Sequence, residues 1–551
     1  MNLYIPKTTG TYADTLEAIG TASLIEEISG CRTFIKDIGQ TFEIISEKDI
    51  PSYNWSPPSP GFFYIWEKSK EKKKPYGQQV IDYEAEKQIA EGLKKYRQAH
   101  GKKREKLLGA IQDQGLEAPP EPHREYRMAS ILSSMRKGWN ADRQLYHWLT
   151  EHPKEAMKWV QSRLSNVNLI DSPIELSNSQ FFNPISGKGV HSSKTIARSP
   201  SSISDEIVDS FSEWMKFRGA YRALLPYRSG DDFKFFVIEP VDIGPTDLSR
   251  LRDQMIALNL WGGIRLDIEA NLRLAELLIR HSDVMGGSIG LRRKRPNQII
   301  KGLYQAYFKS LGTAAALMNN AFLPLPSWFV VETEEDANAY LVVISEQIGS
   351  YEGGQRKQGC LGSLDENRSG DVPILQQYRK WLTTGELMDL LDFHARFAVH
   401  AVERRGHNEW VKEFSTENLD ILLKRGYEMK EIVENPGFLS VARAIRNSTI
   451  YALGLKNRDV HFGLAQKWKQ KIKGGNAEFI AALAEFVQQY NWESEGIKEK
   501  TKKGVHVVKQ EELDSLLDLI SQHGAELVGM LLLAYGYARA PKMELEVAQV
   551  S

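Results

Sequence analysis

Three stretches of this 551-residue chain carry side chains suited to phosphate and base chemistry. The first is Phe181-Phe182-Asn183-Pro184-Ile185-Ser186-Gly187-Lys188-Gly189-Val190-His191-Ser192-Ser193-Lys194. Two aromatics precede a Gly-Lys-Gly turn, followed by an imidazole, hydroxyls and a second lysine. Gly187 and Gly189 let backbone approach a ligand closely and present N–H groups to phosphate. Lys188 and Lys194 neutralise phosphate charge, and Asn183 can hydrogen-bond a base edge. An exposed turn anchored by its phenylalanines is the plainer alternative. The second stretch is Arg292-Arg293-Lys294-Arg295, four consecutive cations placed before Pro296. They suit a phosphate backbone near a helix N-terminus, or a solvated loop. The third is Lys467-Trp468-Lys469-Gln470-Lys471-Ile472-Lys473. Phe462, Ala465, Trp468 and Ile472 make a helical apolar stripe, so Lys467/Lys471 and Lys469/Lys473 form two rows beside the seam. With Arg443 and Arg446 nearby, such a face tracks a nucleic-acid backbone or simply keeps the helix soluble. The clusters Lys72–Lys74 and Lys102–Arg104 have interleaved glutamates and read as solvated helix.

Catalytic signatures are missing from the sequence. No His-Asp dipeptide, no Gly-Gly-Asp-Asp, no HExxH and no Gly-x-Ser-x-Gly elbow occurs. Ser186-Gly187-Lys188-Gly189 lacks the Ser or Thr that a Walker A motif places on Mg²⁺. His394, His400 and His407 have no carboxylate at a ligand-like step and read as core or surface histidines. The expectation is a binding protein with no catalytic centre, no metal and no cofactor. The competing reading is a metal-dependent nucleic-acid-processing enzyme built on scattered carboxylates such as Asp231, Asp232 and Glu239.

Those stretches need elements to hold them. A chain of this length calls for more than one core. Lys+Arg and Asp+Glu both number 71. That excludes a free basic protein coating DNA alone, but not local basic patches in a larger assembly. Two cysteines, Cys31 and Cys360, cannot make a thiolate zinc site or a disulfide framework and point to the cytosol. The N-terminus has no apolar signal core, and Leu527–Ala538 is too short to span a bilayer, so it reads as a buried helix.

Periodicity predicts a helix over Thr11–Ser29, a hairpin of Thr33–Ile38 with Thr41–Ile45 around Gly39-Gln40, and a proline-rich loop at Ser52–Gly61. Charged helix follows from Lys68 to Lys106, and another helix from Tyr126 to Leu164. Asn166–Ser204 reads as a long loop, and Asp205–Leu225 as helix. Phe233–Val241 reads as a strand. Pro245–Asp283 reads as helix broken at Gly262-Gly263, and Pro296–Asn320 as helix. Trp328–Glu332 and Tyr340–Ser345 are strands, or a strand and a short helix. Gly349–Asp371 is polar and Gly-rich and is the expected boundary. From Pro373 onward almost everything is helical. The fold class is therefore α+β, with a mixed domain over 1–370 and an all-α bundle over 371–551.

Phe181–Lys188 (FFNPISGK), Tyr307–Trp328 (YFKSLGTAAALMNNAFLPLPSW) and the tail Glu434–Trp492 together resemble the large subunits of type I CRISPR–Cas surveillance complexes (Cascade). The likeness is to the Myxococcus-type branch of the eighth-numbered Cas family, allied to subtypes I-A and I-B. It is clearest over the C-terminal third and patchy over the N-terminal third.

The resemblance implies a non-catalytic subunit beside the 5′ handle of a guide RNA. It would read the protospacer-adjacent motif on duplex DNA and start strand separation, after which guide pairing reads the sequence, a division of labour known for the Cas9 type. It implies a helical, small-subunit-like tail that holds the displaced single strand. The implied partners are guide RNA, target DNA, the backbone, handle-binding and small subunits, and a helicase-nuclease or transposition proteins. No membrane is involved. The implied nucleic-acid contacts are Asn183, Ser186, Gly187, Lys188, Gly189, His191, Lys194, Arg292, Arg293, Lys294, Arg295, Arg443, Arg446, Lys467, Lys469, Lys471 and Lys473. The branch serves antiviral defence or transposon-guided insertion, and its tail is also made separately in some members, for which Met388 is a candidate start.

Overall fold

The structure is a computed structural model. It describes residues 1–49, 64–69, 72–74, 80–99, 101–113, 115–123, 126, 130, 148, 151–165, 167–171, 179, 181–184, 210–229, 232–258, 260–282, 285–286, 296–311, 315–327, 330–352, 355–452, 460–501 and 505–540. The chain has an α+β fold and divides into two compact units, 1–259 with 298–322, and 260–297 with 323–551.

Unit 1 opens with β1 (Asn2–Pro6), α1 (Tyr12–Ser29), β2 (Thr33–Asp37) and β3 (Thr41–Ser46). Thr11 caps α1 by accepting from Ala13 N, and Gly30 ends it in the left-handed conformation. The predicted hairpin is present: β2 and β3 are antiparallel around Gly39, whose φ of 97° suits only glycine. Then come β4 (Tyr64–Trp66), β5 (Val80–Asp82), α2 (Tyr83–Gln98), α3 (Lys102–Gln112), α4 (Pro153–Ser165), α5 (Ser210–Ala223), β6 (Leu224–Ser229), β7 (Asp232–Pro240), β8 (Asp242–Ile243) and α6 (Pro245–Ala257). The unit closes with β9 (Ile300–Ser310) and β10 (Ala315–Pro324). Its larger sheets run β1-β3-β2-β8 and β10-β9-β7-β6.

The centre of this unit is a helix crossing. α1 is buried nearly all round, as a helix without a polar face must be. A Cβ on Gly20 would lie 1.9 Å from the Met215 carbonyl oxygen, and one on Gly219 would lie 1.9 Å from the Leu16 carbonyl oxygen. The α1 and α5 backbones touch at these two glycines, and no other residue fits either position.

The region after Pro296 corrects the expected helix. Pro296 opens only a 3₁₀ turn, Pro296–Gln298, and the chain then forms β9 and β10. Ile300–Ser310 is rich in aromatics whose rings must be covered: Phe308 stacks on Phe235 at 5.4 Å, and Tyr304 meets Phe322 at 4.9 Å. Pairing of β9 with β7, and of β10 with β9, overrides the helix propensity of the alanines in β10.

Unit 2 holds α7 (Ile264–Arg280), α8 (Glu334–Ile348), the short pair β11 (Ser350–Glu352) and β12 (Gln355–Lys357), a 3₁₀ turn at Cys360–Ser363, α9 (Val372–Thr384) and α10 (Leu387–Gly406). It continues with α11 (Thr416–Ile421), a π turn at Leu422–Gly426, α12 (Lys430–Val433), α13 (Pro436–Ser448), α14 (Leu464–Lys473), α15 (Asn476–Thr501), α16 (Gln510–His523) and α17 (Ala525–Gly536). The expected break at Gly262-Gly263 lies before α7. Tyr340–Ser345, read as strand or short helix, is helical, in an α8 started by a Thr333/Asp336 capping box. After α9 the described residues are almost wholly helical, as expected.

The boundary expected at residue 370 is not where the chain divides. Glu366 accepts from Gly263 N at 2.8 Å and Arg265 N at 2.7 Å, closing the N-terminus of α7. Arg379 of α9 pairs with Asp267 of α7 at 2.9 Å, and Tyr378 donates to Gln347 of α8 at 2.6 Å. The polar Gly349–Asp371 stretch is folded into the unit rather than strung between two. α17, as its composition predicts, is buried on nearly every side. Among the described residues no helix is long and apolar enough to cross a membrane.

Candidate nucleic-acid interface

Of the first constellation, the stem Phe181–Pro184 is described, and Ser186, Gly187, Lys188, Gly189, His191 and Lys194 lie outside the described residues. The stem is embedded in unit 1. Phe181 meets the rings of Phe308 at 5.0 Å, Phe233 at 6.3 Å and Phe235 at 6.4 Å, and Tyr12 donates to its carbonyl at 3.0 Å. Asn183 is 2 % exposed. Its amide donates to Glu213 at 2.9 Å and to the Ser179 carbonyl at 3.1 Å, and its oxygen accepts from Lys216 at 2.9 Å. Lys216 also pairs with Glu213 at 2.9 Å. Burial pushes the nearby Glu17 carboxyl up, against the pull of Lys216 and a Ser212 hydroxyl. Asn183 therefore corrects the reading as a base-contacting residue: its donors and acceptor are spent inside the fold, and a base edge cannot reach it.

The second constellation, Arg292, Arg293, Lys294 and Arg295, lies wholly outside the described residues.

The third is α14. Trp468, Ala465 and Ile472 are buried, as the stripe requires, whereas Phe462 is 54 % exposed and stands off the seam. The two lysine rows are present and mostly answered by acids. Lys467 meets Glu485 of α15 at 3.1 Å, and Lys471 meets Glu478 at 3.3 Å. All four of those side chains are about half exposed. Such pairs contribute roughly 0–1 kcal/mol and give way readily to phosphate. Lys469 is held by Asp392 of α10, which also holds Arg396 at 2.7 Å. Burial pushes Asp392 up, but the hydrogen bonds and charges of Lys469 and Arg396 outweigh it and keep the carboxyl below its ordinary range. Lys473 is exposed and makes no ion pair among the described residues.

Arg446 also corrects its reading. It is 5 % exposed and donates to the carbonyls of Ala538 at 2.7 Å and Tyr535 at 3.0 Å, closing the C-terminal end of α17. Arg443, on the same helix, is half-buried.

Beside α14 lies an open cleft of about 380 Å³, its floor made by Ile374, Ala395, Val399 and Ala465 and its rim by Asp371, Arg396, Glu403 and Lys469. Arg396 was missed by sequence reasoning, although its four-residue spacing from Asp392 on a helix signals a pair. His400 also lines the cleft. Its Nδ1 lies 3.2 Å from Asp371 and its Nε2 3.3 Å from the Ser363 Oγ. Burial lowers the His400 pKa, and Arg404 and Arg368 add to this against the pull of Asp371. The order Asp-His-Ser has the connectivity of an acyl-transfer triad, but Ser363 is 3 % exposed and its hydroxyl donates to the Cys360 carbonyl at 3.0 Å. A nucleophile needs an approach for its substrate, and this hydroxyl has none.

His394 is buried, and burial alone lowers its pKa to about 3, so it is neutral at pH 7. Asp232 and Glu239 are both on β7, seven residues apart, which separates them by roughly 23 Å on opposite faces. Asp232 accepts from Tyr307 and Ser310, and Glu239 accepts from Thr15. Asp231 lies outside the described residues. Among the described residues no group of three or more His, Cys, Asp or Glu side chains is arranged to hold a metal ion. No family model matches the chain, and no curated protein matches it.

Proposed function

We propose that this chain is a non-catalytic large subunit of a type I RNA-guided DNA surveillance complex, serving antiviral defence or RNA-guided insertion. In this role it reads the protospacer-adjacent motif, helps open the target duplex and steadies the displaced strand. The observation that carries the reading is the α14 ridge. It sets four lysines on the surface of a helical bundle, and three of them make half-exposed ion pairs or none. Those cations can exchange carboxylate for phosphate at small cost. The family-like stretches at Phe181–Lys188, Tyr307–Trp328 and Glu434–Trp492 supply the identity of the assembly. Within them, the Phe181–Pro184 stem is anchored in the aromatic core of unit 1, and Gly187, Lys188 and Gly189, which follow it in sequence, lie outside the described residues.

The test is co-expression with the chain's genomic neighbours and a CRISPR array, followed by sequencing of the bound RNA. Short RNAs of one repeat-derived design, copurifying with this chain and several partners, are the expected result. A chain that purifies alone and free of RNA overturns the reading. Within the assembled complex, Lys188→Ala weakens target binding by roughly 1–3 kcal/mol.

A further inference from the structure

The strongest unanswered positive charge in the described part of unit 1 lies at the turn between α2 and α3, outside all three constellations. Residues 94–106 hold seven Lys or Arg and a single acid, Glu105. Lys94, Lys95, Lys102, Lys103, Arg104 and Lys106 are exposed, and none of them makes an ion pair among the described residues. Glu105 makes none either. The turn is short, so the last turn of α2 and the first of α3 adjoin, and Arg104 lies 4.9 Å over the Tyr96 ring across it.

Among the described residues no acid answers these cations. α3 contains no buried residue. Its first turn carries three cations, where the helix dipole disfavours positive charge, and its Gly101 cap offers no side-chain hydrogen bond. Like charges this dense repel one another, so an external anion is their complement.

We propose that the α2–α3 turn is a sequence-independent binding surface for the phosphate backbone of duplex nucleic acid. Duplex fits better than single strand because, among the described residues of the patch, the one aromatic ring, Tyr96, has Arg104 over its face. A lipid surface fits worse, because Leu107, Leu108 and Ile111 are half-buried and leave no open apolar face to insert. The surface deepens the nucleic-acid reading above, yet it rests on charge and exposure in unit 1 and requires no guide RNA.

The test is anisotropy of a labelled DNA duplex with the purified full chain, titrated between about 50 and 200 mM salt. Lys102→Glu/Lys103→Glu/Arg104→Glu lowers affinity at least about tenfold and makes the slope of log K against log salt shallower by about 2–3, the release expected for three phosphate contacts. Lys94→Glu/Lys95→Glu gives a smaller change in the same direction. Circular dichroism melting stays at the wild-type temperature, because α3 buries no side chain. The proposal is overturned if the wild-type chain does not bind duplex at low salt, if affinity and slope are unchanged in the triple variant, or if that variant loses binding to phosphatidylserine vesicles but not to duplex. A chain that binds duplex through this turn yet brings down no guide RNA keeps this surface and loses only the complex assignment.

Discussion

Asn183 with Lys216 in unit 1 and the lysine rows of α14 in unit 2 look alike in sequence: polar or cationic side chains next to aromatics. The fold puts them to opposite uses. Asn183, Glu213 and Lys216 are buried, and each hydrogen bond among them completes another. Lys467 and Lys471 stand in water and touch glutamates that are equally exposed. Buried charges bind to the fold and cannot be lent out, whereas exposed ones are held so weakly that a ligand can take them. What separates the two cases is the neighbour that tertiary folding supplies, not the residue types.

The largest effect that would test this contrast comes from the buried side. Lys216→Met leaves the Glu213 carboxylate buried without its cation and lowers stability by about 3–5 kcal/mol, read as a drop in urea midpoint. Asn183→Ala costs roughly 2–3 kcal/mol by the same loss of partners. If either variant keeps its midpoint while losing nucleic-acid binding, the contrast collapses, and Asn183 returns to the interface.

Two buried groups, Glu239 in unit 1 and His394 in unit 2, answer pH in opposite senses. Burial lifts Glu239 to about 7, against the pull of Thr15 and Lys7. Its folded pKa exceeds its unfolded one, so its contribution is complete below about 4.5 and fades as pH rises through 7. Glu239→Gln, which keeps an acceptor for Thr15, therefore gains roughly 1–3 kcal/mol relative to wild type at pH 8 and little at pH 4. His394 runs the other way. Its folded value of about 3 lies below the unfolded 6.5, so stability is lost as pH falls from 6.5 toward 3. His394→Phe, in a pocket already shared with Phe393 and Phe414, flattens that acid limb by roughly 2 kcal/mol between pH 7 and 5. Parallel thermal melts of both variants across pH would show equal slopes if the assignment were mistaken.

The smallest effect is at α14. A double-mutant cycle on Lys467 and Glu485 gives a coupling under about 0.5 kcal/mol. A larger coupling would mean that the ridge is built for stability. Its complement is Glu478→Gln/Glu485→Gln, which strengthens DNA binding several-fold at low salt if the lysines are available to phosphate.

Local rules carried much of the fold. Gly39-Gln40 marked the β2–β3 hairpin, and Gly262-Gly263 marked the break before α7. In α15 the apolar residues Phe479, Leu483, Phe486 and Tyr490 recur at three- and four-residue steps, and all four are buried. The errors share one cause. β9 is a strand because β7 offers it a ladder, Glu366 caps a helix that begins about a hundred residues earlier, and Asn183 is buried because α5 brings Glu213 and Lys216 to it. None of these partners is near in sequence. The candidate site was less legible still, because exposure and ion pairing decide it. Among the described residues Lys102, Lys103 and Arg104 pair with none of the glutamates near them in sequence, whereas Lys467 and Lys471 do meet glutamates, Glu485 and Glu478.

α9 acts on the tail in one more way. It covers part of α10: Tyr378 meets Phe393 at 4.8 Å, and Gln377 donates to Asp389 at 3.2 Å. A ribosome starting at Met388 would begin inside the first turn of α10 and never make that cover. The fragment would leave the ribosome with Phe393 missing its Tyr378 cover and Asp389 missing Gln377, and it would clump or cling to another subunit rather than disperse as a monomer. Synthesis from the upstream start keeps that greasy flank dry from the outset, since its lid is already made when α10 emerges.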